Sequence, residues 1–302
     1  VADELVAQRY DSPRAFRRAL TDKLKALARS GKWTLPQLQR QIAYDRLLER
    51  LYTVDEGWVV KGATALLARD LGVRASIDVD VFRAGALEVA ERELREAAAL
   101  DLGDWFRFEA GAAQVAGDGA AGLRLPIGAL IGPTEWARFH VDLVGNEVTM
   151  TGVPEQMPAL ARVTMPDLAQ RGYRVYPLVD HVADKIAATF DRYGKARSPS
   201  TRYKDLVDLV AIASAASVEA EAQIAALRSE AKRRGIELPA AFETPDREAW
   251  KRGYEAEAAR SLLEVAATLE EALELVKPFI DPLLDGTARG KWDQQAGRWD
   301  DG

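Results

Sequence analysis

Two stretches decide how this chain folds: Lys61-Gly62-Ala63-Thr64-Ala65-Leu66-Leu67 and, soon after, Arg74-Ala75-Ser76-Ile77-Asp78-Val79-Asp80-Val81. The apolar run Trp58-Val59-Val60 reads as a strand that stops at Gly62, where the missing side chain lets backbone N–H groups approach an anion. Residues 63–69 read as a helix, so its N-terminus and partial positive charge face the same turn. In the second stretch aspartates alternate with apolar residues, which puts Asp78 and Asp80 on one face of a strand. Two carboxylates on one face repel each other unless a cation lies between them, and Mg²⁺ shared with phosphate oxygens is the usual one. Taken alone, Asp-x-Asp also fits an edge strand with two water-facing acids. The glycine turn ahead of it favours a phosphate site.

Outward from this pair, further residues fit the same chemistry. Ser76 precedes Asp78 by two and would share its face on a continuous strand, where its hydroxyl can meet phosphate or be phosphorylated. Arg74 falls on that face too, although an ordinary polar, water-facing approach to the strand explains both. Asp142, in Arg138-Phe139-His140-Val141-Asp142-Leu143-Val144, points away from Phe139, Val141 and Leu143. It is a candidate base or metal ligand, or simply a strand-end acid before the Gly145-Asn146 turn. Lys185 lies beside the apolar helix face of Val182, Ile186 and Phe190 and is no surface decoration unless it snorkels outward. Asp205 and Asp208, three apart, share a helix face after Arg202-Tyr203-Lys204. Asp208 borders the buried stripe; Asp205 is also explained by pairing with Arg202 and Lys204.

The glycine turn, short helix and Asp-x-Asp strand resemble the nucleotidyltransferase superfamily. The pairing of Lys-Gly-Ala-Thr-Ala-Leu-Leu with Arg-x-Ser-x-Asp-x-Asp resembles the AbiEii/AbiGii-type toxins, MenT-like toxins among them, over about residues 40–284. The resemblance implies that Asp78, Asp80, Lys185 and Asp208 form the catalytic set, with Mg²⁺ on Asp78 and Asp80. It implies that Lys61, Gly62, Ala63, Thr64, Arg74, Ser76, Lys185 and Asp205 bind the nucleoside triphosphate, with Asp142 as third carboxylate. Ala63 stands where the superfamily prefers Gly or Ser, and Thr64 is the substitute hydroxyl. The implied reaction is transfer of nucleotides from an NTP to the 3′ end of tRNA, which blocks translation, in a toxin that a cognate antitoxin neutralises. A small-molecule or protein acceptor, or a non-catalytic nucleotide-binding module, are the alternatives. The last would be favoured by loss of Asp78, Asp80 or Lys185, and all three are present. A P-loop NTPase is disfavoured because no Gly-x-x-x-x-Gly-Lys-Ser/Thr occurs.

Composition narrows the field less. A chain of 302 residues, 48% hydrophobic and 29% charged, is expected to be an ordinary globular protein with one large or several small domains. No apolar run reaches the roughly 20 residues of a membrane helix, and residues 1–10 lack a signal-peptide core, so no membrane and a cytoplasmic location are expected. Zero cysteines exclude disulfides and thiolate metal sites, and the two histidines, His140 and His181, make an all-histidine centre implausible. A net charge of −6 does not advertise a nucleic-acid binder. Basic residues nevertheless crowd at Arg14, Arg17 and Arg18 and at Lys232, Arg233 and Arg234, as candidate RNA contacts or as solvated helix faces.

The expected fold class is α+β, with a nucleotidyltransferase-type mixed sheet flanked by helices. Its parts are an N-terminal helical region (1–56), the sheet core (57–178), a C-terminal helical region (179–284) and a flexible tail (285–302) with exposed Trp292 and Trp299. Strands are expected at 58–61, 77–82, 106–111, 114–115, 122–127 and 138–144, mostly hairpin-connected with turns at Gly111, Gly117-Asp118-Gly119 and Gly145-Asn146. One long amphipathic helix is expected over 248–275.

Overall fold

Ser12 caps the first helix by accepting from the Ala15 N–H, and Pro13 takes its first position, so α1 (Pro13–Ser30) starts where the sequence places it. The computed structural model describes residues 10–116, 122–146, 148–166 and 168–300. The expected turn at Gly117-Asp118-Gly119 lies outside these residues. After α2 (Leu35–Val54) come β1 (Val59–Val60), α3 (Gly62–Ala68), β2 (Asp78–Phe82), α4 (Leu87–Ala98), β3 (Phe106–Ala110), β4 (Gln114–Val115), β5 (Gly122–Ile131), β6 (Thr134–Val144), β7 (Glu155–Met157) and β8 (Tyr173–Val175). These strands form one mixed sheet of order β3-β5-β6-β2-β1-β8-β7, with β4 also on β5. The mixed sheet expected from the sequence is therefore present, but hairpins do not generate all of it. β2 lies parallel to β6, and β1 parallel to β8.

The chain divides into two compact units. Among the described residues, one comprises 10–64, 75–148 and 156–175, and the other 65–74, 149–155 and 176–300. In the first, α2 supplies far more than an apolar stripe. Arg46 and Arg50 are buried and converge on Asp104: Arg46 Nε to Oδ2 at 2.6 Å, Arg50 Nη2 to Oδ1 at 2.7 Å. Arg50 also donates to the Phe106 carbonyl at 2.7 Å, which pins the start of β3. Asp45, wholly buried, accepts from the Leu160 and Ala161 N–H groups and the Tyr173 hydroxyl. Buried backbone donors of a loop are thereby satisfied by one carboxylate.

The second unit is built on α5 (Leu178–Phe190), the short ribbon of β9 (Arg192–Tyr193) and β10 (Ser198–Pro199), α6 (Tyr203–Ala215), α7 (Ala220–Arg234), α8 (Arg247–Ala258) and α9 (Leu269–Leu284), ending in a hairpin of β11 (Trp292–Asp293) and β12 (Arg298–Trp299). Its core includes Ile186, Leu209, Trp250, Phe279 and Trp292. Asp180 repeats the device of Asp45, accepting from the Thr151 and Gly152 N–H groups and the Thr151 hydroxyl.

Two expectations are corrected here. The helix expected over 248–275 is two, because the chain turns through Ala266 (φ 57°) and Thr268 and Glu271 form a capping box that starts α9 afresh. The tryptophans of the tail are not exposed. Trp292 is 2% exposed, its indole N–H donates to the Ala213 carbonyl at 2.8 Å, and its ring lies 4.9 Å from Phe279 and 5.5 Å from the partly buried Trp299. The Gly- and charge-rich composition of 285–300 hid an aromatic anchor.

Candidate functional site

The strand register assembles a polar row in the first unit. Across β2 and β6, Asp78 pairs with His140 and Asp80 with Asp142; across β5 and β6, Arg124 stands opposite Asp142. Residues paired in register share a face, so these five side chains lie on one side of the sheet. Val79, Val81, Phe139, Val141 and Leu143 fill the other side and are buried. The Arg124 guanidinium donates from Nε and Nη2 to Asp142 Oδ1 and Oδ2 at 2.7 and 2.6 Å, and its Nη2 lies 3.6 Å from Asp78 Oδ2. The hydrogen bond to Asp142 holds the Arg124 guanidinium above its ordinary range, with the charges of Asp142, Asp78 and Asp80 adding to it. His140 Nδ1 is 3.2 Å from Asp78 Oδ1. Sequence reasoning missed both Arg124 and His140 as members. Alternation in Gly122-Leu123-Arg124-Leu125 was legible, but which strand β5 would pair with was not.

The glycine turn abuts this row. Gly62 has φ +58°, and a Cβ there would sit 1.9 Å from Asp80 Oδ2. The Lys61 N–H donates to the Asp80 carbonyl at 2.7 Å, tying the turn to β2, and Ala63 is buried. Thr64, the substitute hydroxyl of the sequence reading, is fully buried and donates to the Asp78 carbonyl at 3.2 Å. Ser76 does not continue β2. β2 begins at Asp78, not at residue 77, and the Ser76 hydroxyl closes a local turn by donating to the Asp78 carbonyl at 2.6 Å. Tyr44 on α2 donates to the Ser76 carbonyl at 3.0 Å and steadies that turn.

A second cluster lies within the other unit. Lys185 on α5, only 6% exposed, donates from Nζ to Asp205 Oδ1 at 2.9 Å and to Asp208 Oδ2 at 2.7 Å. Both aspartates therefore approach the lysine. Arg74 clamps Asp208 through Nε and Nη2 at 3.0 and 2.8 Å instead of continuing the β2 face, and Arg202 holds Asp205 at 2.5 Å. Burial alone would raise both carboxylates, but Lys185, with Arg202 or Arg74, holds each below its ordinary range. For Lys185 burial works downward and the two carboxylates prevail, so the ammonium titrates above its usual value. His181, one turn before Lys185, is pushed down to about 3 by burial and by the neighbouring ammonium, and is neutral.

The basic clusters differ from each other. Arg233 pairs with Glu230 at 2.5 Å, and Arg234 pairs with Glu230 and with Asp191 at 2.5 and 3.0 Å, at the C-terminal end of α7 where cations complement the helix dipole. Both are engaged in this network, and Lys232 and Arg233 are exposed. At the other end, Arg17 donates to the Thr134 and Glu135 carbonyls and lies over Trp136. Arg14 and Arg18 line an open cleft of about 520 Å³ with Tyr10, Ala15, Ala19 and Asp22.

Among the described residues, no three histidine or carboxylate side chains converge as metal ligands. The chemistry that fits is a cation on Asp78 and Asp80 that takes its other ligands from phosphate and water, as Mg²⁺ commonly does. Among the described residues no helix is long and apolar enough to cross a membrane.

Comparison with known proteins now bears on this geometry. The structure is similar to MenT4, the nucleotidyltransferase toxin Rv2826c from Mycobacterium tuberculosis H37Rv, at a TM-score of 0.50 and 17% identity over 89% of this chain and 99% of that one. A weaker similarity, TM-score 0.39 and 15% identity over 85% and 87% of the two chains, links it to JHP933 from Helicobacter pylori. No curated protein sequence matches it. A sequence model described as nucleotidyl transferase AbiEii toxin, type IV toxin–antitoxin system, matches residues 46–275, well over half of the chain. The chain therefore belongs to the AbiEii family of nucleotidyltransferase toxins.

Proposed function

We propose that this toxin transfers nucleotides from an NTP to the 3′-terminal hydroxyl of tRNA and so blocks translation, with Mg²⁺ held by Asp78 and Asp80. The observation that carries the reading is the register: Asp78 and Asp80 share one face of β2, Asp142 stands level with Asp80, and a glycine-only turn packs against the Asp80 carboxylate. In the reaction the acceptor oxygen bonds to the α-phosphorus, the α–β phosphoanhydride bond breaks, and pyrophosphate leaves. When bound, the metal would supply charge neutralisation on the triphosphate and polarise the α-phosphate. Gly62 lets the chain pass close to Asp80, with no side chain between them. Lys185, held rigidly by Asp205 and Asp208, is assigned charge neutralisation on the nucleotide phosphates, a task suited to a compact ammonium. Asp142 has both oxygens engaged by Arg124, an arrangement suited to positioning.

A small-molecule or protein acceptor is the second reading. It draws support from Arg17, Arg233 and Arg234, which are spent on contacts within the protein and leave less positive surface for a long polyanion. One experiment separates the two. The protein is incubated with total tRNA and each labelled NTP in Mg²⁺, and 3′-end extension is read on a gel over a salt series. Extension by one or more NTPs, weakening with salt by a log–log slope of roughly −0.7 to −0.9 per phosphate contact and absent in Asp80→Ala, is the expected result. No extension with any NTP, from a protein that still consumes NTP when small hydroxylated acceptors are supplied, would promote the second reading.

A further inference from the structure

The carboxylate row already contains a cation. Arg124 meets Asp142 with two parallel N–H···O bonds, the strongest geometry a guanidinium and a carboxylate can adopt, and also reaches toward Asp78. The pair is not a chance of surface side chains. β5 and β6 hold Arg124 and Asp142 directly opposite each other, and Asp142 is itself level with Asp80 on β2, so the three residues form one rung across three strands. Asp142 is well shielded while the Arg124 side chain keeps 44% of its surface exposed. A shielded carboxylate is thus covered from the solvent side by a positively charged group. Two-metal transfer sites place divalent ions about 3.5–4 Å apart and need a ligand set for each. Here the ligand that would complete a second set is occupied.

We infer that Arg124 is a built-in counter-ion that takes Asp142 out of the metal-binding set, so that this protein binds a single divalent ion, on Asp78 and Asp80. The inference rests on the proposed metal role of those two aspartates and adds to it. Arg124 compensates the charge of Asp142 through both carboxylate oxygens, and the ion is assigned to Asp78 and Asp80. The fixed guanidinium also removes the need to recruit a second ion from solution. Arg124 is accordingly a positioning residue: it fixes Asp142 and sets how many ions the row accepts.

The test counts ions without requiring turnover. Free Mn²⁺, standing in for Mg²⁺, is followed by electron paramagnetic resonance as it is titrated into the full chain. The wild type is expected to bind one Mn²⁺, and Asp80→Ala to lose it. Arg124→Gln, which keeps the length of the side chain across the rung, should bind a second Mn²⁺ or bind the first on the order of tenfold more tightly, because a positive charge has left the row. Arg124→Lys keeps the charge and should remain at one. Adding Asp142→Asn to Arg124→Gln should abolish the gain, since Asp142 is the ligand released. Circular dichroism melts of each variant show that it is folded before it is counted. Wild-type number and affinity in folded Arg124→Gln, or two ions in the wild type, would overturn the counter-ion role while leaving Asp78 and Asp80 as ligands. No Mn²⁺ bound by the wild type, or undiminished binding in Asp80→Ala, would overturn the metal reading itself, and the counter-ion role with it.

Discussion

At Gly62 a single methyl group separates a working turn from a blocked one. The residue has φ +58°, which costs an L side chain roughly 1–2 kcal/mol, and its Cβ would collide with Asp80 Oδ2. Gly62→Ala is therefore expected to lower stability by about 1–3 kcal/mol and to displace the Asp80 carboxylate, with a loss of transfer of about 10- to 100-fold, as when a metal's supporting groups are removed. A melt together with the 3′-extension assay checks it; near-wild-type transfer would show that Asp80 does not need this turn. Ser76 is a second such point. Phosphorylation would remove the hydroxyl hydrogen from its bond to the Asp78 carbonyl and add roughly 1.5–2 negative charges two residues from Asp78. Ser76→Glu should be nearly inactive, and Ser76→Ala should keep part of its activity. Equal rates for the two variants would show that added charge at residue 76 plays no part.

Between elements, the consequential contacts are polar pairs inside apolar packing. Lys185 on α5 is the cation between two buried carboxylates of α6, so Lys185→Met leaves them with Arg74 and Arg202. Breaking such a network costs about 3–5 kcal/mol. Urea denaturation should show that loss, and Asp208→Asn added to Lys185→Met should recover part of it; a stability equal to wild type in Lys185→Met would mean the cluster is not coupled. The terminal hairpin gives the other element-scale prediction. Trp292 fills the core beside Phe279 and donates to the carbonyl of Ala213 on α6, so Trp292→Ala should cost about 3–5 kcal/mol. A melting temperature unchanged by that substitution would return the tail to the exposed state its composition suggested.

For the molecule as a whole, each unit carries its own buried titrating group, and the two act in opposite directions. In one unit, burial pushes Asp45 up to about 6, against the pull of its three hydrogen bonds and Arg46. Between pH ~6 and its ordinary value near 4 the folded form holds the extra proton, so this unit gains stability as pH falls. In the other, His181 is pushed down to about 3. Below pH ~6.5 the unfolded chain binds a proton that the folded one refuses, so this unit loses stability as pH falls. Each slope is at most about 1.4 kcal/mol per pH unit. Hydrogen exchange resolved along the chain should show the two units diverging between pH 6 and 4. Asp45→Asn should flatten only the first trend and His181→Gln only the second. Parallel trends in both units would contradict the assignment.

By itself the sequence determined what depends on neighbours along the chain. The cap at Ser12-Pro13 and the alternation around Asp78, Asp80 and Asp142 are local patterns with a fixed period, and they survive folding because the backbone geometry that reads them is local. The same holds for Gly62, where the need for a positive φ is written in one residue type. The tertiary structure alone decided which periods lie side by side. Pairing β6 with β2 in parallel set Asp142 level with Asp80, and pairing β5 with β6 put Arg124 onto Asp142. Ser76 and Thr64 turned their hydroxyls to the Asp78 backbone because buried or half-buried donors take the nearest carbonyl, an outcome that strand periodicity does not encode. Arg46, Arg50 and Asp45 on α2 are charged residues and are nevertheless buried, since partners more than 50 residues away satisfy them. A charge's environment is set by what folds over it, and no window of the sequence contains that information.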